Sequence, residues 1–179
     1  MTARGFALFD TPVGRCGIAW SARGIAGVQL PEANDGATRA RMLRRHGGAR
    51  ELPPPEEIRR VIEGIIALLS GESAELREAF IDMEDVPPFD RRVYEVARTI
   101  RPGATLTYGE VATRIGAPGS SRDVGQALAR NPFPIVVPCH RVLAAGGKLG
   151  GFSARGGAAT KRRLLAIEAV HAEGPPRLL

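Results

Sequence analysis

The run Asn131-Pro132-Phe133-Pro134-Ile135-Val136-Val137-Pro138-Cys139-His140-Arg141 ends by placing a thiol, an imidazole and a guanidinium in consecutive positions. Three prolines precede the thiol. Each fixes φ and removes an N–H donor, so the sequence predicts an extended, rigid segment able to hold Cys139 in one place. A thiol with an unperturbed pKa of about 8.5 is only about 3% thiolate at neutral pH, and complete ionisation lowers a nucleophilic barrier by roughly 2 kcal/mol. A neighbouring base or cation supplies that shift. Adjacent side chains of an extended strand point to opposite faces, so contact between Cys139 and His140 requires a bend or a bridging water. Residue type alone leaves Cys139 open to two readings, a nucleophile or a buried small hydrophobe.

Helices must position such a thiol. Thr107-Tyr108-Gly109-Glu110 fits the T-x-x-E capping box, which predicts a helix running through Ile115. Gly116-Ala117-Pro118-Gly119 reads as a turn, with Ser120 or Ser121 capping a second helix through Arg130 whose apolar face is Val124, Ala127 and Leu128. Two short helices about such a turn are either a helix-turn-helix or a plain helix corner. A helix over 89–100 precedes them, stopped by Pro102-Gly103. Earlier, apolar runs at 6–9, 17–20 and 25–30, broken by Thr11–Gly14 and Ser21–Gly24, predict an antiparallel meander. Helices are expected over 37–46 and 56–69, the second burying Ile58, Val61, Ile62, Ile65, Ile66 and Leu69, with a short strand near 76–82. Asp85-Val86-Pro87-Pro88 marks a boundary, which divides the chain into 1–85, 86–170 and a tail over 171–179.

The 179 residues, 44% of them hydrophobic, can bury a core and argue against disorder. Cys16 and Cys139 are too few for a disulfide framework, and without a CxxC pair or Cys/His cluster no metal site is expected. No run approaches the ~18 apolar residues of a membrane span, and Asp10 and Pro12 arrive too early for a signal peptide, so a cytoplasmic protein with no membrane partner is expected. The formal charge is +6, but residues 86–179 carry 14 Lys and Arg against 6 Asp and Glu, while residues 1–85 carry 11 against 13. A basic second half suggests a polyanionic partner, although solubility also explains such an excess.

Pro138-Cys139-His140-Arg141-Val142, with Asn131-Pro132 and Ser121-Arg122-Asp123-Val124-Gly125, closely resembles the methylated-DNA–protein-cysteine methyltransferase family, the O6-alkylguanine-DNA alkyltransferases. The likeness runs from Phe89 to Glu168 and includes Thr107-Tyr108, Gly116, Leu149-Gly150, Gly156-Gly157, Lys161 and Leu164-Leu165; in the first 85 residues it is carried mainly by Thr11-Pro12-Val13-Gly14. It implies an α+β protein. An N-terminal ribonuclease-H-like antiparallel sheet with helices would precede a C-terminal helical domain with a winged-helix-like helix-turn-helix.

The resemblance further implies DNA repair by irreversible, single-turnover transfer of an alkyl group from O6-alkylguanine, and by extension O4-alkylthymine, to Cys139. His140 would act as base through a water, Glu168 would orient it, Tyr108 would donate to the guanine ring, and Asn131 would tie the active-site turn to the helix-turn-helix. Val142, Ser153, Lys161 and Gly150 would meet the flipped base. Arg122 would be the finger entering the stack, with Ser121, Gly125, Ala129 and Arg130 along DNA. Neither cofactor nor metal is implied, and the protein would act as a monomer on double-stranded DNA. This sequence departs from the family at Asp123, which stands where a small residue is usual and could complete a cap with Ser120, at Phe152, in place of a tyrosine, and in a substrate loop two residues longer at 153–157. A non-catalytic DNA-binding module and a multiple-turnover Cys/His hydrolase are the rival readings; the first has no use for Cys139, the second none for Arg122.

Overall fold

The computed structural model describes residues 3–171 and the backbone of 177–178, with side-chain environments through residue 169. It is a mixed α+β fold in two compact units. The first takes in the chain to Ser70, Ala74–Asp85 and Pro132–Val136; the second holds Gly71–Ser73, Val86–Asn131 and the chain from Val137 onward.

In the first unit β1 (Gly5–Thr11), β2 (Gly14–Ser21) and β3 (Gly24–Gln29) form the meander, and the two-residue strand β4 (Arg50–Glu51) pairs parallel to β1, giving the order β3-β2-β1-β4. Gly14 and Gly24 begin β2 and β3 at φ 123° and 131°, a conformation that glycine adopts without strain at a tight turn. Helix α1 (Asp35–Arg45) starts two residues earlier than its apolar spacing predicts because the Asn34 side chain accepts from the Ala37 amide and caps it. It packs on β2, where a Cβ at Gly17 would meet the Met42 side chain 2.9 Å away. Helix α2 (Glu56–Leu69) buries Ile58, Val61, Ile62, Ile65, Leu68 and Leu69; Ile66, expected on that face, is half-buried, and Leu68 takes the interior position. Each such buried aliphatic side chain contributes roughly 1.5–3 kcal/mol. The strand expected near 76–82 is not one. A turn at Leu76–Ala79 interrupts it, and its pairing is the single bridge Ile25↔Ile81.

In the second unit α3 (Pro88–Ala97) begins with proline at its first position, where a missing N–H is harmless, and stops three residues short of the predicted end. Ile100 is nevertheless buried. β5 (Ala104–Thr107) leads into α4 (Tyr108–Arg114), and the capping box forms in both directions, Glu110 N–H to Thr107 Oγ1 and Thr107 N–H to Glu110 Oε1, each 3.1 Å. A turn through Gly116 (φ 75°) leads to α5 (Ser121–Ala129), which packs against α4 and α3; the Tyr94 hydroxyl donates to the Ala127 carbonyl at 2.7 Å. Ser120 is the residue before α5, but its side chain makes no capping bond, so the cap expected from Ser120 or with Asp123 does not form; Asp123 instead lies exposed in the first turn, where the helix dipole favours an acid. β6 (Val142–Leu143) and β7 (Arg177–Leu178) flank β5, both parallel to it, and α6 (Ala158–His171) closes the unit.

Candidate active site

The segment before the thiol is not extended throughout. Ile135 has φ 73°, rare for a β-branched residue, and its side chain is buried. Pro138, at φ −79° and ψ 67°, sits at the centre of an inverse γ-turn closed by the Cys139 amide on the Val137 carbonyl at 2.8 Å. Cys139–Arg141 then forms one turn of 3-10 helix, with the Arg141 amide bonded to the Pro138 carbonyl at 2.9 Å. The prolines therefore fix a bend. Successive side chains on a 3-10 turn are about 120° apart, so the thiol, the imidazole and the guanidinium need not share a direction.

Cys139 is 7% exposed and lies in the lining of a cleft of ≈ 460 Å³ that it shares with Tyr108, Arg122, Gly125, Leu128, Phe152 and Ser153, among others. Burial pushes its thiol above the ordinary range, while the Asn131 side chain, the charge of Lys161 and the backbone N–H groups of Cys139 and His140 pull it back by favouring the thiolate. Asn131 also donates through Nδ2 to the Val137 carbonyl at 2.9 Å, which ties the end of α5 to the bend.

His140, Arg141 and Glu168 form a buried cluster. His140 Nε2 lies 2.8 Å from Glu168 Oε1, and Arg141 contacts the same carboxylate through Nε (3.0 and 3.2 Å) and Nη2 (2.7 Å). Burial alone would raise the Glu168 pKa, but the charges and hydrogen bonds of His140 and Arg141 hold it at about 2. With Nε2 directed at a carboxylate, Nδ1 is the ring nitrogen left to take a proton.

Helix α6 delivers two of these groups because Lys161, Leu164 and Glu168 are spaced i, i+3, i+7 and fall on one buried face. Lys161 Nζ donates to the carbonyls of Val142 (2.7 Å) and Gly151 (3.4 Å) and lies 5.7 Å from the Tyr108 ring centroid; burial lowers its pKa to about 8, opposed by the nearby Cys139 thiolate. At Gly150 (φ 71°) a Cβ would stand 2.5 Å from the Tyr108 hydroxyl, so a glycine lets this loop close over the phenol. Burial, and next the proximity of Cys139, raise the Tyr108 pKa, which keeps the hydroxyl a donor.

The structure thus brings Tyr108, Asn131, Cys139, His140, Val142, Gly150, Lys161 and Glu168 together, and it places Arg122, Gly125, Ala129 and Ser153 in the lining of the cleft that Cys139 and Tyr108 share. Ser121 is exposed at the start of α5. Arg130 is committed on one edge, its Nε and Nη2 pairing with Asp90 at 3.1 and 3.0 Å. Sequence reasoning did not find the role of Arg141 as partner of Glu168, or Gln126 and Leu128 in the cleft wall; Leu128 carried only the signal of a core residue.

An enclosed thiol with charge-favouring donors and a His–carboxylate pair behind it suits group transfer to sulfur, and together with the mixed α+β fold it defines a cysteine-nucleophile protein. Comparison with known proteins sharpens this. The family model for the 6-O-methylguanine DNA methyltransferase DNA-binding domain matches residues 88–170. The methylated-DNA–protein-cysteine methyltransferase of Methanothermobacter thermautotrophicus is 35% identical over 158 residues, 88% of this chain and 81% of that one. The Mycolicibacterium paratuberculosis protein of the same name is 44% identical over 65% of this chain and 68% of its own. Among solved structures, Mycobacterium tuberculosis OGT in complex with DNA superposes with a TM-score of 0.75 at 33% identity, covering 96% of this chain and 95% of that one. The O6-methylguanine-DNA methyltransferase of Pyrococcus kodakaraensis superposes at 0.67 with 32% identity, over 91% and 98%. The chain belongs to the methylated-DNA–protein-cysteine methyltransferase family.

Proposed function

We propose that the protein repairs DNA by direct reversal, moving an alkyl group from the O6 position of guanine onto its own Cys139, with O4-alkylthymine as a second lesion. A bridging water carries the thiol proton to His140, and Glu168 holds the imidazole in the accepting tautomer. The sulfur attacks the alkyl carbon in line: the S–C bond forms as the C–O6 bond breaks, and the electron pair passes to the purine. The proton lost from sulfur balances the one the purine takes up. Tyr108 donates to the ring as charge develops there. The product thioether has no carbonyl for water to attack, so each molecule acts once.

Extrusion of the nucleotide is required because the O6 substituent is hidden inside a duplex. Arg122, exposed in the first turn of α5, is the finger that fills the vacated space, and Ser121, Gly125 and Ala129 allow α5 to approach the minor groove closely. The pair α4–α5 acts as the helix-turn-helix of a winged-helix-like domain over 86–170, and residues 1–85 form a ribonuclease-H-like domain; of the tail expected over 171–179, His171 ends α6, Arg177–Leu178 is β7, and 172–176 and 179 lie outside the described residues. Asn131 links α5 to the nucleophile, while Val142, Ser153, Lys161 and Gly150 shape the base pocket. Arg130 contributes to phosphate binding less than its charge suggests, since Asp90 neutralises it. The protein works in the cytoplasm as a monomer without a cofactor.

The placement of Cys139 in the cleft beside Arg122 carries this reading, since a hydrolase has no use for that arginine. Incubation with a duplex bearing O6-methylguanine is expected to add one methyl to the Cys139 peptide, read by mass, and no more than one per protein. A peptide of unchanged mass, or repair by Cys139→Ala, refutes it.

A further inference from the structure

We infer that Arg141 is a positioning residue that keeps Glu168 a carboxylate throughout the reaction, so that the proton leaving Cys139 stops at His140. The inference rests on the alkyl-transfer reading and extends it to a residue outside the cleft lining.

The geometry is that of a clamp. Arg141 Nε reaches both oxygens of Glu168, Nη2 reaches Oε1 at 2.7 Å, and Nη1 donates to the Ile100 carbonyl at 2.6 Å. Both side chains are 6% exposed. The guanidinium is thus held between the nucleophile turn, α6 and the chain beyond α3, and turning it away would leave the Ile100 carbonyl without this donor and the carboxylate with His140 alone. Planar, two-point recognition of a carboxylate is the property that distinguishes arginine from lysine.

Oε1 is shared, since it also faces His140 Nε2 at 2.8 Å. A buried imidazole–carboxylate pair can settle its proton on either partner, because burial disfavours the charged form of both. If the proton moved to Glu168, the imidazole would be neutral again and no fixed charge would oppose return of the proton to sulfur. Arg141 removes that alternative by making protonation of Glu168 unfavourable. The charges that act on this carboxylate come from His140 and Arg141, both on the turn. On α6 itself, Lys161 donates instead to Val142 and Gly151, and Arg162 is exposed. Proton balance is preserved: sulfur loses one and His140 gains it through water, Glu168 accepts a hydrogen bond without changing its protonation, and the departing purine takes its proton from solvent, to which His140 returns the other after transfer.

The test is the pH profile of single-turnover methyl transfer, read as the mass of the Cys139 peptide between pH 5 and 8.5. Arg141→Met is expected to slow transfer about tenfold at pH 5 and much less at pH 8, an acid limb displaced upward by about one pH unit. Arg141→Lys, which keeps the charge and serves if Arg141→Met does not fold, is expected to displace the limb in the same direction by a smaller step. Adding either substitution to Glu168→Gln, which cannot ionise, is expected to give no further displacement. A loss equal at every pH, or a displacement that persists in Glu168→Gln, overturns the inference by making Arg141 a packing residue. Failure of the unsubstituted protein to methylate Cys139 at any pH would overturn the underlying reaction instead.

Discussion

At the scale of single residues, the site works by close approach and by charge. Gly150 shows the first: its backbone lies where a methyl group would collide with the Tyr108 hydroxyl, and its φ of 71° is strained for any other L-residue. Gly150→Ala is expected to push the loop off the phenol and slow alkyl transfer at least about tenfold, with a stability loss of about 1–3 kcal/mol; stopped single-turnover assays and thermal melting separate the two. In the proposed reaction Arg122 is a finger, a role that would be exercised only on duplex. Arg122→Ala is expected to reduce repair of a duplex by ~100-fold, from the few kcal/mol of unstacking it no longer offsets, while leaving reaction with free O6-substituted guanine nearly unchanged. Equal losses on both substrates would remove the finger role. The identity of these groups was legible in the chain, but the Arg141 clamp was not. Nothing in sequence indicates that a residue two positions after the nucleophile meets one 27 positions further on.

At the scale of elements, local rules fix the ends of helices that carry the site. The Thr107–Glu110 capping box starts α4 at Tyr108 itself, so Thr107→Ala is expected to cost about 1 kcal/mol and to loosen the phenol along with the helix, seen as a lowered melting temperature and a slower reaction. The i, i+3, i+7 face of α6 brings in Lys161 and Glu168 together, and its docking depends on an ionised carboxylate. Because the folded-state pKa of Glu168 lies below the value of about 4.3 in an unfolded chain, its contribution to stability is complete above that value. It is lost as pH falls toward about 2. Chemical denaturation at pH 5 and pH 3 is expected to show this decline, and Glu168→Gln is expected to flatten it. Periodicity predicted α2, α4 and α5 well because each has an apolar stripe or an explicit cap. It misread 76–82, where alternation stands without a partner strand, and the run before Cys139, where proline was taken to mean extension although Pro138 fits an inverse γ-turn equally well.

For the whole molecule, charge asymmetry is the property that matters. The net positive charge concentrates in 86–179, where acids are few, and this segment contains the cleft and the helices beside it. Binding to undamaged duplex is therefore expected to weaken steeply with salt, log K falling linearly with log of salt concentration at a slope of about −0.9 per phosphate contacted. Measurement by fluorescence anisotropy from about 50 to 300 mM salt, roughly a sixfold range about physiological ionic strength, checks it, and a flat dependence would remove phosphate contact as a source of affinity. Pro132–Val136 clusters with the first unit although Asn131 and Val137 belong to the second; the Val28 amide bonds the Pro132 carbonyl at 2.9 Å. Contiguity in sequence gave no sign of this, since it follows from which backbone groups find partners.

By itself the sequence determined which reactive groups stand together: one thiol beside an imidazole and a guanidinium, a capped helix bearing a phenol, and a second half with a net positive charge. Residue type and short-range spacing suffice for these because they depend on covalent reactivity and on hydrogen bonds within a turn. The tertiary structure alone decided that Cys139 is enclosed, that Glu168 is held ionised by Arg141 as well as His140, and that Gly150 lies against Tyr108. Those facts depend on burial and on contacts between distant residues, and in a folded chain these set how strongly each charge is felt.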